Sequence, residues 1–156
     1  MSGQLIAESA AEVTIRAPLA SVDLAEWVFT LTDSQYQACS KDHYAGATTL
    51  TPEGKRMSLN VERVGNLMVQ HYVEDVAEQS HVRLVSQSDS IGPDIGSRVK
   101  IVVIWAFTAA AIDAATTKFT KLGATNRVEI VGEALRQGIS PERDGRPMHR
   151  RESVVI

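Results

Sequence analysis

From residue 45 to residue 122 the chain repeats one pattern, a short run of alternating apolar and polar residues followed by a turn. The runs are AGATTL (45–50), MSLNVERV (57–64), LMVQHYVEDV (67–76), HVRLVSQS (81–88), SRVKIVVIWAFTAA (97–110) and TTKFTKL (116–122). A period of two is the mark of a strand with one face turned to a core. The connections are short, and Gly65–Asn66 between two such runs is a good hairpin signal. A parallel crossover needs about a dozen residues or more, so successive strands have to pair antiparallel.

The flanks differ. EVTIR (12–16) reads as one more short strand, broken by Pro18. Between Ser21 and Ser40 the apolar spacing lengthens to a helical one, interrupted at Thr32–Asp33. Two short helices in tandem are expected there, with Ser21 capping the first and Thr32 or Asp33 the second. After Gly123 a third helix is expected, capped by Asn126, carrying Val128, Ile130 or Val131, and Leu135, and stopped by Gly138. The tail SPERDGRPMHRRESVVI is rich in charge, Gly and Pro, and reads as loop with a final turn or strand at SVVI. The predicted class is therefore α+β: a curved, seven-stranded antiparallel sheet, two short helices after the first strand and a C-terminal helix. One domain is expected over residues 1–156, with its core in 10–138 and a charged tail in 139–156.

Composition excludes several function classes. The net charge of −3 lacks the basic excess of a nucleic-acid surface. No apolar run reaches the roughly 20 residues of a membrane span, and MSGQLIAESAAE does not read as a signal peptide. A single cysteine, Cys39, forms no internal disulfide, so a reduced, cytoplasmic setting is the expectation.

The stretch VTIRAP (13–18), followed at once by VDLAEWVFTL and the Asp33 element, resembles the opening of the helix-grip fold of the START/Bet v 1-like (SRPBCC, polyketide cyclase-like) superfamily. The strand count after the helices is similar too, and the likeness spans roughly residues 10–138. It implies a sheet curled around a helix, leaving an apolar cavity, and a cyclase, aromatase or lipid-carrier activity. A narrower likeness, carried by QYQACSKDH and a later strand with an acid, looks similar to the diacetylphloroglucinol-hydrolase branch. That branch implies zinc, with His43, Glu74, His149 and Glu152 as the positions that would hold it. The second pair departs from the pattern: its glutamate belongs one position later, where Ser153 stands. No HExxH, CxxC or paired-histidine spacing exists either. No metal and no cofactor are expected.

The residues themselves offer a base. In VQHYVED (69–75), His71 shares its direction with Leu67, Val69 and Val73, and Met68, Gln70, Tyr72 and Glu74 face the other way. If the first set points into the cavity, His71 is an inward imidazole able to work as a general base near pH 7; the competing reading is a packed histidine on the core or rim. Asn60 and Glu62 share a direction and can form a polar pair inside the cavity or face solvent. His43 and His149 read as loop residues, and Cys39 as a small packed residue rather than a nucleophile. Trp105 and Phe107 share a strand face, and Trp27 and Tyr36 lie on the helices.

The leading expectation is a small-molecule enzyme of cyclase, aromatase or related hydrolase type, acting on an apolar carbonyl compound. Its catalytic set would be His71, Glu62 and Tyr72, with Asn60, Trp105, Phe107, Trp27 and Tyr36 on the ligand. The alternatives are a non-catalytic carrier or sensor of a small apolar or aromatic ligand, and an interaction protein that pairs with a second copy as a homodimer. A filled interior would remove the first two. A cavity with converging polar groups favours the enzyme, and a purely apolar one the carrier.

Overall fold

A computed structural model describes residues 4–93, 98–127 and 148–153. The elements in chain order are β1 (Gln4–Ile15), a 3-10 turn (Leu19–Ser21), α1 (Leu24–Thr30), α2 (Asp33–Cys39), β2 (His43–Leu50), β3 (Arg56–Val64), β4 (Asn66–Ala77), β5 (His81–Ile91), β6 (Arg98–Asp113), β7 (Thr116–Arg127) and β8 (Met148–Ser153). They form one sheet of order β2-β3-β4-β5-β6-β7-β1-β8. Every pair from β2 through to β1 is antiparallel, and β8 adds parallel to β1. An antiparallel curved sheet with few helices fits a helix-grip-like α+β arrangement.

The expected run of strands is present, joined by tight turns. Gly65 closes the β3–β4 hairpin at φ 73°, a conformation that costs glycine little and other residues more. The helices start where short polar side chains can accept the first free N–H groups. Thr32 caps α2 in a capping box with Gln35. The cap of α1 is Asp23, whose Oδ1 accepts the Glu26 N–H at 2.8 Å, and not Ser21, which sits in the preceding 3-10 turn. The opening strand begins at Gln4, well before Glu12, because the small residues of SAAE pair with β7 as readily as VTI does.

Two expectations about the C-terminal part change. Asn126 does not cap a helix: β7 runs on to Arg127, and Asn126 pairs with Leu5 on one side and Val102 on the other. The rest of the predicted helix lies outside the described residues. A late strand, Met148–Ser153, extends the sheet to eight strands, and the rest of SVVI, beyond Ser153, lies outside the described residues.

The core lies between α1 and one face of the sheet. Leu24, Val28 and Phe29 of α1 pack on Met68 and Tyr72 of β4, Val82 and Leu84 of β5, and Val103 and Phe107 of β6. Fully burying an aliphatic or aromatic side chain contributes roughly 1.5–3 kcal/mol, so this cluster fixes α1 on the sheet. The Leu24 N–H also donates to the Gln79 carbonyl at 2.8 Å, pinning the helix start to the β4–β5 turn. The second helix is held against the edge strand β2. Asp33 Oδ1 accepts the Gly46 N–H at 2.8 Å. A Cβ on Gly46 would lie 2.9 Å from Tyr36 Cβ, so glycine is what lets α2 approach.

Candidate functional site

The two helices, α1 on the sheet face and α2 at the edge strand β2, leave space between them and the sheet unfilled. A cavity of about 230 Å³ remains between α1, α2 and the face of β3–β7. Tyr72, Glu62, Asn60, Trp105, Phe107, Trp27 and Tyr36, all expected at the site, line it.

His71 does not. On β4 the buried residues are Met68, Gln70 and Tyr72, at 7%, 4% and 2% exposure, and Val69, His71 and Val73 are only half-buried on the opposite face. The expected parity of this strand is therefore reversed, and His71 is no candidate for a base in the cavity. The register shows why apolar content misled. Leu59 pairs with His71, Val61 with Val69 and Met57 with Val73, so the outer side chains shield one another from water. The inner row is the polar one: Ser58 pairs with Tyr72 and Asn60 with Gln70.

The charged centre of the cavity is Glu62. Tyr36 Oη donates to Glu62 Oε2 at 3.3 Å, and His43 Nε2 stands 3.5 Å from the same oxygen. Tyr36 and His43 stack, with ring centres 4.1 Å apart and planes at 5°. The His43 Nδ1 lies 2.8 Å from the Tyr36 carbonyl oxygen. A carbonyl can only accept, so Nδ1 carries a proton and Nε2 is the nitrogen turned to the carboxylate. The Nε2 lone pair and the Glu62 oxygen therefore face each other across a gap that one proton can cross. Burial first, then the Glu62 charge, pushes the Tyr36 phenol well above its ordinary range, so it remains a donor.

The far wall is aromatic. Trp105 Nε1–H donates to Tyr72 Oη, and burial holds the Tyr72 phenol protonated far above its ordinary range. Trp27 closes the rim, edge-on to Phe107 and Phe119 at 6.2 and 6.3 Å. Lys121 also faces in, with Nζ 3.7 Å from the centre of the Trp105 ring. Sequence reading passed over this lysine, although a signal existed. In TTKFTKL, Thr117, Phe119 and Lys121 share one strand direction, so an inward Phe119 brings Lys121 with it. Gln70 was missed because β4 was judged by its apolar content alone, whereas Ser58 shares the strand direction read for Asn60 and Glu62.

The zinc positions do not converge. Glu74 is held by the Arg56 N–H at 2.9 Å and Arg56 Nε at 2.8 Å, away from His43. Burial raises its carboxyl, but those Arg56 contacts outweigh this and keep it below the usual carboxylate range. His149 and Glu152 lie on strand β8, where a separation of three residues alternates sides. Among the described residues no three His, Cys, Asp or Glu side chains gather as a metal cluster. Cys39 touches the cavity, but its Sγ donates back to the Gln35 carbonyl at 3.2 Å.

No protein-family model matches the chain, and no curated protein matches it. Among solved structures it is similar to hypothetical protein jhp0584 from Helicobacter pylori, at 15% identity and a TM-score of 0.47, over 84% of this chain and 80% of that one. It is also similar to an uncharacterised protein from Rhizobium leguminosarum, at 16% identity and a TM-score of 0.43, over 84% of this chain and 89% of that one. Among the described residues no helix is long and apolar enough to cross a membrane.

Proposed function

We propose that this chain is a small-molecule enzyme of START/Bet v 1-like type, akin to polyketide cyclases and aromatases, that moves a proton alpha to the carbonyl of a compact apolar compound. The observation that carries the reading is the Glu62 carboxylate inside the cavity, with Tyr36 Oη at 3.3 Å and His43 Nε2 at 3.5 Å on one oxygen. A carrier of a purely apolar ligand gains nothing from such a group. A carboxylate turned toward an apolar ligand costs desolvation and returns it only if the ligand exchanges a proton or a hydrogen bond with it.

The chemistry is assigned to this chain's residues as follows. The aromatic wall holds a carbonyl compound with its alpha carbon toward Glu62. Glu62 takes the alpha proton, and His43 accepts it in turn through Nε2, its Nδ1–H fixed on the Tyr36 carbonyl. Asn60 and Gln70, adjacent on paired strands, offer amide N–H groups to the enolate oxygen. Return of the proton at another carbon, or attack of the enolate on a second carbonyl, gives isomerisation or cyclisation. His71 has no part in it.

The test is deuterium exchange into 2-tetralone in D2O, followed by NMR. The wild-type protein is expected to speed exchange at the alpha carbons over buffer, and Glu62→Gln to lower that rate by about 100-fold or more while tetralone still binds. Binding without any acceleration by the wild type would overturn the enzyme reading in favour of the carrier. The carrier reading has its own support, since Trp27, Val28, Leu31, Leu84, Phe107 and Phe119 make much of the lining apolar.

A further inference from the structure

We propose that Lys121 and Trp105 form an anion subsite in the cavity, and that the compound bound there is an apolar aromatic monoanion such as a carboxylate or phenolate. The inference rests on the cavity being a ligand site, as proposed above, and adds the charge of the ligand.

Strand register brings the lysine in. Thr117, two turns of the pleat earlier on the same side, is fully buried, with its Oγ1 donating to the Ala17 carbonyl at 2.8 Å, and Phe119 between them packs on the core. Lys121 cannot leave that face without a slip of the whole strand. Its ammonium rests on the Trp105 ring at 3.7 Å. That ring is itself fixed. Its Nε1–H is tied to Tyr72, and Gly123 lies so close beneath it that a Cβ there would be 2.2 Å from Cζ3.

The other charges set back from water have partners. Asp89 is paired with Arg98 at 2.7 Å and Lys100 at 3.1 Å, and Glu74 with Arg56. Glu62 is engaged by Tyr36 and His43. Among the described residues no carboxylate lies within salt-bridge distance of Lys121. A ring face offsets only part of the desolvation of an ammonium. An anionic ligand supplies the rest. Burial also pushes the Lys121 amine below its ordinary range, the Glu62 charge offsets only part of this, and a bound anion would raise it further.

The same arrangement orients the ligand. Its negative end goes to Lys121 on β7, so its neutral, proton-bearing carbon is left to Glu62 on β3. At about 230 Å³ the cavity falls below the ~300–1,000 Å³ usual for drug-sized sites, which points to a compact ligand.

The experiment uses two probes of one shape, 2-naphthoate and the neutral 2-naphthamide. Both tryptophans of the chain, Trp27 and Trp105, line the cavity, so quenching of intrinsic fluorescence reports binding of either probe. The wild-type protein is expected to bind the carboxylate at least 10-fold tighter than the amide, with the gap narrowing as salt is raised. Lys121→Met should weaken the carboxylate to the level of the amide and leave the amide unchanged, and Lys121→Arg should keep the preference. Equal affinity of the wild type for both probes would overturn the subsite without requiring any variant to fold. A preference that survives Lys121→Met would overturn the role of the lysine. If neither probe bound the wild type, the cavity reading itself would fall, and the subsite with it.

Discussion

The rings of Tyr36 and His43 lie parallel, 4.1 Å apart, and both side chains reach the same oxygen of Glu62. Tyr36 comes from α2 and His43 from the first residue of β2, with a sharp turn between them in which the His43 N–H donates to the Ser40 carbonyl at 3.1 Å. A short helix and the strand after it thus deliver two rings to one carboxylate. His43→Ala is expected to lose the stack, worth about 0.5–1.5 kcal/mol of stability. It should also slow tetralone exchange by about 10- to 100-fold, as loss of a proton acceptor does. Thermal melts and the exchange assay check the two effects separately; unchanged exchange would leave His43 a packing residue.

His71 lies on the outer face of β4, and its backbone N–H donates to Ser86 Oγ at 2.8 Å. Because the ring is remote from the cavity, His71→Gln should alter exchange rate and probe affinity by less than about two-fold. Its stability should move by about 0.5 kcal/mol or less, as for ordinary surface changes. A large loss of turnover in this variant would mean that β4 is paired one residue out of the register described.

Gly123 is the floor under Trp105. The Cβ of an alanine there would meet Trp105 Cζ3 at 2.2 Å and Cε3 at 2.6 Å. Gly123→Ala must therefore displace the indole, at about 1–3 kcal/mol as in other overpacked sites. The expected signature is a shifted tryptophan emission and weaker binding of both naphthalene probes, charged and neutral alike. That pattern separates it from Lys121→Met, which should act on the carboxylate alone.

The two buried phenols predict the alkaline limb of stability. Tyr36 and Tyr72 are both held above the ordinary phenol pKa of about 10, chiefly by burial. A group whose pKa is higher folded than unfolded contributes stability that is fully present below the unfolded value and is lost as pH rises above it. Melting temperature should therefore hold up to about pH 10 and then fall. Phenolate absorbance from these two residues should appear together with unfolding and not before it. Tyr36→Phe should flatten the fall. A melting temperature independent of pH across that range, or early ionisation of both phenols, would contradict their burial.

What the sequence determined by itself was the run of strands β2 to β7, because alternation and short turns are local: each run carries its own period, and the β3–β4 turn its own glycine. The α2 cap at Thr32 was legible for the same reason, as was the shared face of Trp105 and Phe107. The face each strand turns to the helices was not. On β4 both sides carry apolar residues, Leu67, Val69 and Val73 on one and Met68 and Tyr72 on the other, so counting them leaves parity open. Only pairing with β3 and packing of α1 on Met68 and Tyr72 decide it. They place Gln70 inside and His71 outside, because an unfilled cavity tolerates polar groups and the paired outer side chains of β3 and β4 shelter one another. The site follows from that choice. His43 and Glu62 are register partners on the consecutive strands β2 and β3, but Lys121 belongs to β7, far along the chain, and no local pattern relates it to them. Their meeting across one cavity is a property of the sheet's order and curvature, which the tertiary structure alone supplies.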